Sequence, residues 1–309
     1  MTNIIKLDVL ESYLQTGENF VPGFYDIPDS VYHGEPLKNF MSAHGLIQIL
    51  RSPAHYKIFR DHRNEKSEPI RFGGAAHRYI FTGDQATPVE FGSAAHKFLF
   101  QNGLGLATVP LKGYESEAFS KAEQEIIERH GTDCLIVTER DMKKIITMAA
   151  LLKRHPLAKS ALVNGVPELS GVFIRTDFEG ILTKVKTDYL LEDIRVIVEY
   201  KTAVDARVEK FQRQVIDLGY DIQCGYYVDA MKQLTGKDWR FLFIVQEKDP
   251  PFAVNFFMAT PELIELGMKK VRKGLEIFWK IMNSDKDFDK MYDDKIIELY
   301  PPTWALNQI

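Results

Sequence analysis

The chain contains little cysteine. Among its 309 residues only Cys134 and Cys224 are cysteines, and they lie far apart without partners at the spacing of metal ligands. A four-cysteine zinc or iron–sulfur site within the chain is therefore excluded. Any metal ion must be bound by oxygen or by histidine.

The chain also lacks an excess of positive charge. It has 39 lysines and arginines against 43 aspartates and glutamates, a formal net charge of -4, and a pI near 6.1. This balance argues against a protein that coats nucleic acid by charge alone, although a local basic channel is compatible with an acidic exterior. Net charge therefore does not decide the partner.

Long apolar runs are absent as well. No stretch approaches the roughly 18 uncharged residues of a membrane span, and the first residues lack the basic segment and apolar run of a signal peptide. The composition, 45% hydrophobic and 27% charged, is ordinary for a globular protein. We expect a cytoplasmic protein without contact with a membrane.

The first part of the chain is predicted to be helical. An amphipathic helix begins near Ser42, ends before Ser52, and is followed by a second short helix. Two near-copies, FGGAAHRYIF (72–81) and FGSAAHKFLF (91–100), are predicted to be helix starts or short helices. Because no long linker is present, we expect one compact unit with an N-terminal helical extension (1–70) and a core (71–309).

Runs typical of β-strands begin after Pro167. The segment LSGVFIRTDFEGILTKVKTDYLLEDIRVIVEYKT predicts an antiparallel three-stranded meander. A long helix from about Val208 to Leu234 is expected next, then two strands joined by EKDPP and a final helix. This order indicates an α/β or α+β fold in which helices flank a central mixed sheet.

Two opposite charges stand at the end of the last strand of this meander. Glu199 and Lys201 follow an apolar run and share one strand face, because successive side chains alternate. Asp188 lies near the end of the preceding strand, and the short LED connection would bring that strand alongside the one with Glu199. Two carboxylates and a lysine then converge at one edge of the sheet.

Such a group can carry metal-dependent chemistry. Carboxylate oxygens are the ligands that magnesium prefers, and two that lie close together repel unless a cation or a shared proton neutralises them. A protonated lysine cannot bind the ion, but it can polarise an attacking water. The spacing alone equally allows an exposed Glu–Lys pair at a sheet edge.

The following helix carries further polar groups. Gln223 and Tyr227 are four residues apart and lie on one helical face, with Tyr220 beside Gln223. Polar side chains thus occupy a stripe that would otherwise be buried against the sheet.

These residues resemble a known family. TDYLLEDIRVIVEYKT is similar to the signature of PD-(D/E)xK nucleases, whose fold is the restriction-endonuclease-like core, and YDIQCGYY is similar to the QxxxY motif of their RecB-like branch. The segments YDIPDSVYHGEP, SPAHYK, FGSAAHKFLF, PELSGVF, VEYKT and PPTWA resemble, in the same order, the RecE-like phage exonucleases. The resemblance covers roughly residues 20 to 305.

The resemblance implies roles for individual residues. Asp188 and Glu199 would bind metal together with the backbone carbonyl of Tyr200, and Lys201 would be the catalytic lysine. Gln223 and Tyr227 would complete the site. Glu168 is a further position that the family pattern singles out, as a residue that orients the site or binds a second ion. The sequence KTD replaces the family's usual Arg-Pro-Asp, and Lys186 keeps a cation there.

The family has one histidine element where this chain has two. The intervals downstream of His96 agree better with the family than those downstream of His77, so we favour His96 as the metal ligand. His77 is then expected to cap a helix or to lie in the core.

The resemblance also implies a function. It suggests a Mg²⁺-dependent exodeoxyribonuclease, with Mn²⁺ as a substitute, that degrades linear double-stranded DNA 5′ to 3′ for homologous recombination. A homo-oligomeric ring and a RecT-like annealing protein would be its partners. A nuclease of other polarity, an endonuclease and a non-catalytic DNA-end binder remain as alternatives.

Overall fold

The computed structural model describes residues 3–35, 37–61, 68–81, 106–109, 117–130, 135–178, 180–284, 287–292 and 296–301. The strands in these ranges are β1 (Ile4–Ile5), β2 (Gly23–Tyr25), β3 (Leu106–Val109), β4 (Leu135–Thr138), β5 (Val166–Ile174), β6 (Leu182–Leu191), β7 (Val196–Ala203), β8 (Arg240–Glu247) and β9 (Val254–Met258). The helices are α1 (Leu7–Thr16), α2 (Asp29–His33), α3 (Ala43–Arg51), α4 (Pro53–Asp61), α5 (Glu68–Phe81), α6 (Glu117–His130), α7 (Glu139–Arg154), α8 (Pro156–Ala161), α9 (Val208–Asp217), α10 (Tyr220–Thr235) and α11 (Pro261–Met282), with a 3-10 turn at Leu37–Asn39.

A seven-stranded mixed sheet forms the centre of the fold. Its strand order is β1-β2-β5-β6-β7-β8-β9, with parallel pairing in β1–β2 and β7–β8 and antiparallel pairing elsewhere. A separate parallel pair is formed by β3 and β4. The predicted α/β class with a central mixed sheet flanked by helices is confirmed, as is the antiparallel meander β5-β6-β7.

The strands β6 and β7 separate part of the way along their length. Their pairing ends at Tyr189 and Val198, after which β7 continues beside β8 alone. The other half of β6 is bonded on this side by Met41, whose N–H donates to the Leu182 carbonyl at 2.8 Å and whose carbonyl accepts from the Lys184 N–H at 2.9 Å. A gap therefore opens in the sheet next to Asp188 and Glu199; we call this opening the gap.

One helix covers each face of the sheet beside the gap. Val198 and Tyr200 point to the face where they pack in one core cluster with Phe72 of α5. Ile197 points to the opposite face and belongs to the cluster that contains Cys224 of α10. Successive side chains of a strand alternate in this way, so groups on α5 and α10 can reach the gap from opposite sides.

The helix α3 begins and ends where the sequence predicts, and the expected second short helix, α4, follows it. Ser42 caps α3, because its side chain accepts from the Gly45 N–H at 3.3 Å. Pro53 then opens α4, a position where its missing N–H costs no hydrogen bond.

The long helix expected from Val208 to Leu234 is instead two helices, so this detail of the prediction is wrong. The break between α9 and α10 lies at Leu218 and Gly219, and Gly219 has a φ of 72°. A side chain strongly disfavours this left-handed conformation, whereas glycine adopts it readily.

The helices α10 and α11 cross in direct backbone contact. A Cβ atom at Gly267 would lie 1.9 Å from the carbonyl oxygen of Asp221, and one at Gly225 would lie 2.5 Å from the backbone of Gly267. Lys270 of α11 also places Nζ 2.6 Å from Oδ2 of the fully buried Asp221. This contact fixes α10, and with it the polar stripe of that helix.

The first residues contribute to the same sheet. Both β1 and β2 lie at its edge beside β5, and α3 packs against α10 and α11. The division at residue 70 stays a prediction. Within the described ranges, no helix has the length and apolar character needed to cross a bilayer.

Candidate active site

Asp188 lies on β6 where that strand leaves β7. Its Oδ2 accepts the backbone N–H of Tyr200 at 2.7 Å, a bond that a neighbouring strand would otherwise make. The side chain is 15% exposed. The carboxylate therefore replaces strand pairing at the gap and is held by the chain that carries Glu199.

Glu199 and Lys201 lie side by side on β7, as strand alternation predicts. The Lys201 Nζ donates to Glu199 Oε1 at 2.8 Å. Gln223 of α10 also donates through Nε2 to the same oxygen. Glu199 and Gln223 are each 3% exposed, so this pair joins the sheet to α10 away from bulk water.

His77 of α5 reaches the same place from the opposite face of the sheet. Its Nδ1 lies 2.8 Å from Glu168 Oε1, and its Nε2 lies 2.8 Å from Asp188 Oδ2. The ring packs on Phe81, with centroids 4.8 Å apart. The structure thus places beside the carboxylates the histidine to which the sequence assigned a cap or core role. The favoured His96, and the whole second near-copy, lie outside the described residues.

Glu168 lies on β5 between Pro167 and Leu169, which pair with Tyr189 and Thr187 on either side of Asp188. It has a φ of 53°, which is unusual for a residue with a side chain and costs conformational energy. One carboxylate oxygen contacts His77, and the other lies 3.3 Å from Lys186 Nζ. Such strain is frequent at functional sites, and here it accompanies a carboxylate directed at the histidine.

The backbone of Tyr200 faces the gap. Its N–H points to Asp188, and in a strand the carbonyl of a residue lies on the same side as its N–H. The phenol is anchored on the far side, where its O–H donates to Gln246 Oε1 at 2.8 Å and Gln246 donates to the Met148 carbonyl at 3.0 Å. The sequence analysis did not single out Gln246. The feature that could have indicated it is its position as a polar residue at the end of the apolar run of β8.

Tyr227 completes the polar stripe of α10. It lies one helical turn after Gln223 and is 8% exposed. Burial raises the pKa of its phenol well above the ordinary value, so the group is a neutral donor or acceptor.

The charges at the gap strongly influence one another. Burial, and then the nearby Asp188, raise the pKa of Glu199 to about 7. Burial lowers the pKa of His77, but Asp188 and Glu168 outweigh it and raise the value to about 10. Burial likewise opposes the charge of Lys201, and its pKa is nevertheless raised by Glu199 and Asp188. Protonated His77 and Lys201 therefore neutralise the carboxylates that they contact.

The types of donor atom suit a divalent cation. In the described part of the chain no group of three or more His, Cys, Asp or Glu side chains is arranged as a ready metal site, and His77 and Lys201 contact the carboxylates directly. One buried carboxylate oxygen there, Glu199 Oε2, nevertheless lacks a hydrogen-bond partner. Carboxylate oxygens and an imidazole nitrogen are suitable ligands for Mg²⁺ or Mn²⁺.

Comparison with known proteins identifies the family and the fold. The model of a PDDEXK-like domain of unknown function (DUF3799) matches residues 42–290. A protein from Eubacterium rectale assigned as an exonuclease has a similar structure, with a TM-score of 0.54 and 15% sequence identity over 91% of this chain and 98% of that one. A phage-related exonuclease from Haemophilus somnus 129PT is matched over 80% of this chain and 96% of that one, at 13% identity and a TM-score of 0.28 that carries no weight. No curated protein matches significantly. The chain belongs to the PDDEXK-like DUF3799 family and has the fold of the PD-(D/E)xK nuclease superfamily.

Proposed function

We propose that this protein is a magnesium-dependent exodeoxyribonuclease that degrades linear double-stranded DNA. The observation that carries the proposal is the meeting of Asp188, Glu199 and Lys201 at the gap, with His77 and Gln223 arriving from opposite faces of the sheet. The exonuclease assignment of the Eubacterium rectale protein supports the same reading.

In this proposal Asp188, Glu199, His77 and the Tyr200 carbonyl would hold the metal ion, with Glu168 as a further candidate. A divalent ion bound there supplies Lewis acidity and lowers the pKa of a bound water. PD-(D/E)xK nucleases generally use divalent ions; the choice of Mg²⁺, with Mn²⁺ as a substitute, follows from the preference of these ions for oxygen ligands.

The remaining side chains position the reacting groups. Lys201 is cationic at neutral pH and can hold the attacking water through one N–H while another donates to Glu199. The water oxygen would lose a proton to solvent and attack phosphorus, the bond between phosphorus and the leaving oxygen would break, and that oxygen would take up a proton from solvent. The lysine would stabilise the charge on the phosphate. Gln223 orients the Glu199 carboxylate, and Tyr227 lies one turn further along α10.

Polarity and biological role rest on the resemblance to RecE-like exonucleases. We propose cleavage 5′ to 3′, which leaves single-stranded tails for homologous recombination, with a RecT-like annealing protein as partner. A homo-oligomeric ring would hold DNA ends and would hide positive charge in its channel, in keeping with the net charge of -4.

A non-catalytic DNA-end binder is the candidate from another class. It requires no intact lysine beside the carboxylates, so the Lys201–Glu199 contact at 2.8 Å favours the enzyme. One assay separates these functions: a linear duplex labelled at one 5′ or 3′ end is incubated with and without Mg²⁺. Stepwise loss of nucleotides from the 5′ end is expected; internal cuts, loss from the 3′ end, or binding without cleavage would each contradict the proposal.

The two near-copies provide a matched pair of variants for the histidine. Because His77 contacts both Asp188 and Glu168, we propose His77 as the ligand in place of the favoured His96. His77→Ala should lower Mg²⁺-dependent cleavage by about a hundredfold, because a lost ligand misplaces the ion and its water, whereas His96→Ala should stay within about threefold of the parent. Both variants are first shown to be folded by circular dichroism. The reverse pattern would identify His96, and not His77, as the metal ligand.

A further inference from the structure

The ammonium group of Lys201 has an aromatic neighbour as well as a carboxylate. Its Nζ lies 2.8 Å from Glu199 Oε1 and 4.8 Å from the ring centroid of Tyr220. A lysine side chain has a flexible four-carbon stem, so one contact alone leaves the position of the ammonium poorly defined. The Tyr220 ring contacts the ammonium from a second side.

The Tyr220 ring is itself held in place. Tyr220 is the first residue of α10 and directly follows Gly219, whose left-handed conformation turns the chain there. The ring lies 6.1 Å from the ring of Phe211 and 6.3 Å from that of Phe243, both of which are buried. The helix break therefore presents a fixed aromatic surface to Lys201.

We propose that Tyr220 is a positioning residue, whose ring holds the Lys201 ammonium beside Glu199 and in reach of the attacking water. The attraction between a cation and an aromatic ring supports this placement, and it is stronger where water is excluded. Lys201 is 16% exposed, so the contact lies in such a place. The role of Lys201 rests on the proposed nuclease function, but the contact itself does not.

Two substitutions separate positioning from simple packing. Tyr220→Phe keeps the aromatic surface and removes only the hydroxyl, whereas Tyr220→Leu keeps an apolar side chain and removes the ring. If Tyr220 only fills space, the two variants lose activity in parallel with stability. If it positions Lys201, only the leucine variant loses the contact.

Kinetics on a labelled linear duplex give the first measurement. Tyr220→Phe should have a kcat within about threefold of the parent, and Tyr220→Leu should show a kcat lowered about tenfold or more with an unchanged KM. Urea unfolding of both variants shows whether they are folded in the assay. Equal kcat values for two folded variants would overturn the proposal, as would an effect on KM alone.

Nuclear magnetic resonance gives a second measurement that does not depend on cleavage. In protein with ¹³C-labelled lysine, the methylene protons next to Nζ of Lys201 should be shifted by the ring current of Tyr220, and Lys201→Arg identifies their signal. The shift should persist in Tyr220→Phe and vanish in Tyr220→Leu. Unshifted protons in the parent overturn the positioning role, whereas a parent that shows the shift but cleaves no DNA overturns the nuclease function alone.

Discussion

Gly267→Ala should destabilise the protein substantially, although alanine favours helices. In α11 the added methyl group would lie 1.9 Å from the carbonyl oxygen of Asp221. Carbon and carbonyl oxygen in contact are about 3.3 Å or more apart, so the two helices must separate by over about 1 Å. Separation of this size forfeits a quarter to a half of each dispersion contact along the crossing.

The balance of two effects gives the magnitude. Over-packing costs about 1–3 kcal/mol and reaches the upper end where the obstacle is backbone. Alanine in place of glycine returns about 1 kcal/mol of helix propensity. We therefore expect the free energy of unfolding to fall by about 2 kcal/mol or more, measured by urea unfolding followed by circular dichroism.

Gly274→Ala on the same helix is the matched control. Its methyl group would meet Leu46 Cδ2 at 3.0 Å, the end of a side chain that needs to give by only a few tenths of an ångström. The gain in helix propensity should then offset the contact, and stability should stay within about 1 kcal/mol of the parent. A Gly267→Ala protein as stable as Gly274→Ala would refute the backbone contact between α10 and α11.

Further predictions concern the site. Lys201→Ala should abolish turnover while metal and DNA binding persist, whereas Asp188→Ala should lose both metal binding and activity. Calorimetry with Mg²⁺ and a cleavage assay measure these effects. A Lys201→Ala protein whose activity stays within about tenfold of the parent would contradict the role of the lysine. Ca²⁺ should bind the same oxygens without efficient cleavage, and turnover at the Mg²⁺ rate would show that the site is misassigned. Because the pKa of folded His77 is raised to about 10 from 6.5, its contribution to metal-free stability should be complete below pH 6.5 and lost as the pH rises through 10. The free energy of unfolding, measured with urea at several pH values, should fall less over this range for His77→Gln than for the parent. Identical pH profiles would argue against the ion pairs of His77.

The parts of the site encoded by local periodicity could be predicted from the sequence. Alternation along one strand puts Glu199 and Lys201 on the same face, and the interval of four residues puts Gln223 and Tyr227 on one side of a helix. The meander follows equally from its turns and β-type runs. Each of these features depends on residues close together in the chain.

The features that depend on distant contacts could not be predicted in this way. The near-copies share phenylalanine, alanine and histidine at matching positions, and the interval argument favoured His96, so the contact of His77 with Glu168 and Asp188 was not predicted. The left-handed Glu168 has no glycine or asparagine to signal it. The strands β1 and β2 are short and become strands only through their neighbours.

The gap between β6 and β7 links the proposed activity to the order of assembly. His77, Asp188, Glu199 and Gln223 belong to four elements, and the helices among them pack on opposite faces of the sheet. During synthesis α5 leaves the ribosome long before α10, and a chain in which one sheet face is still bare lacks either His77 or Gln223 at the gap. Under the proposed function, hydrolysis would begin only in a chain whose two layers have both docked, so incompletely folded chains should not damage the DNA of the cell that makes them.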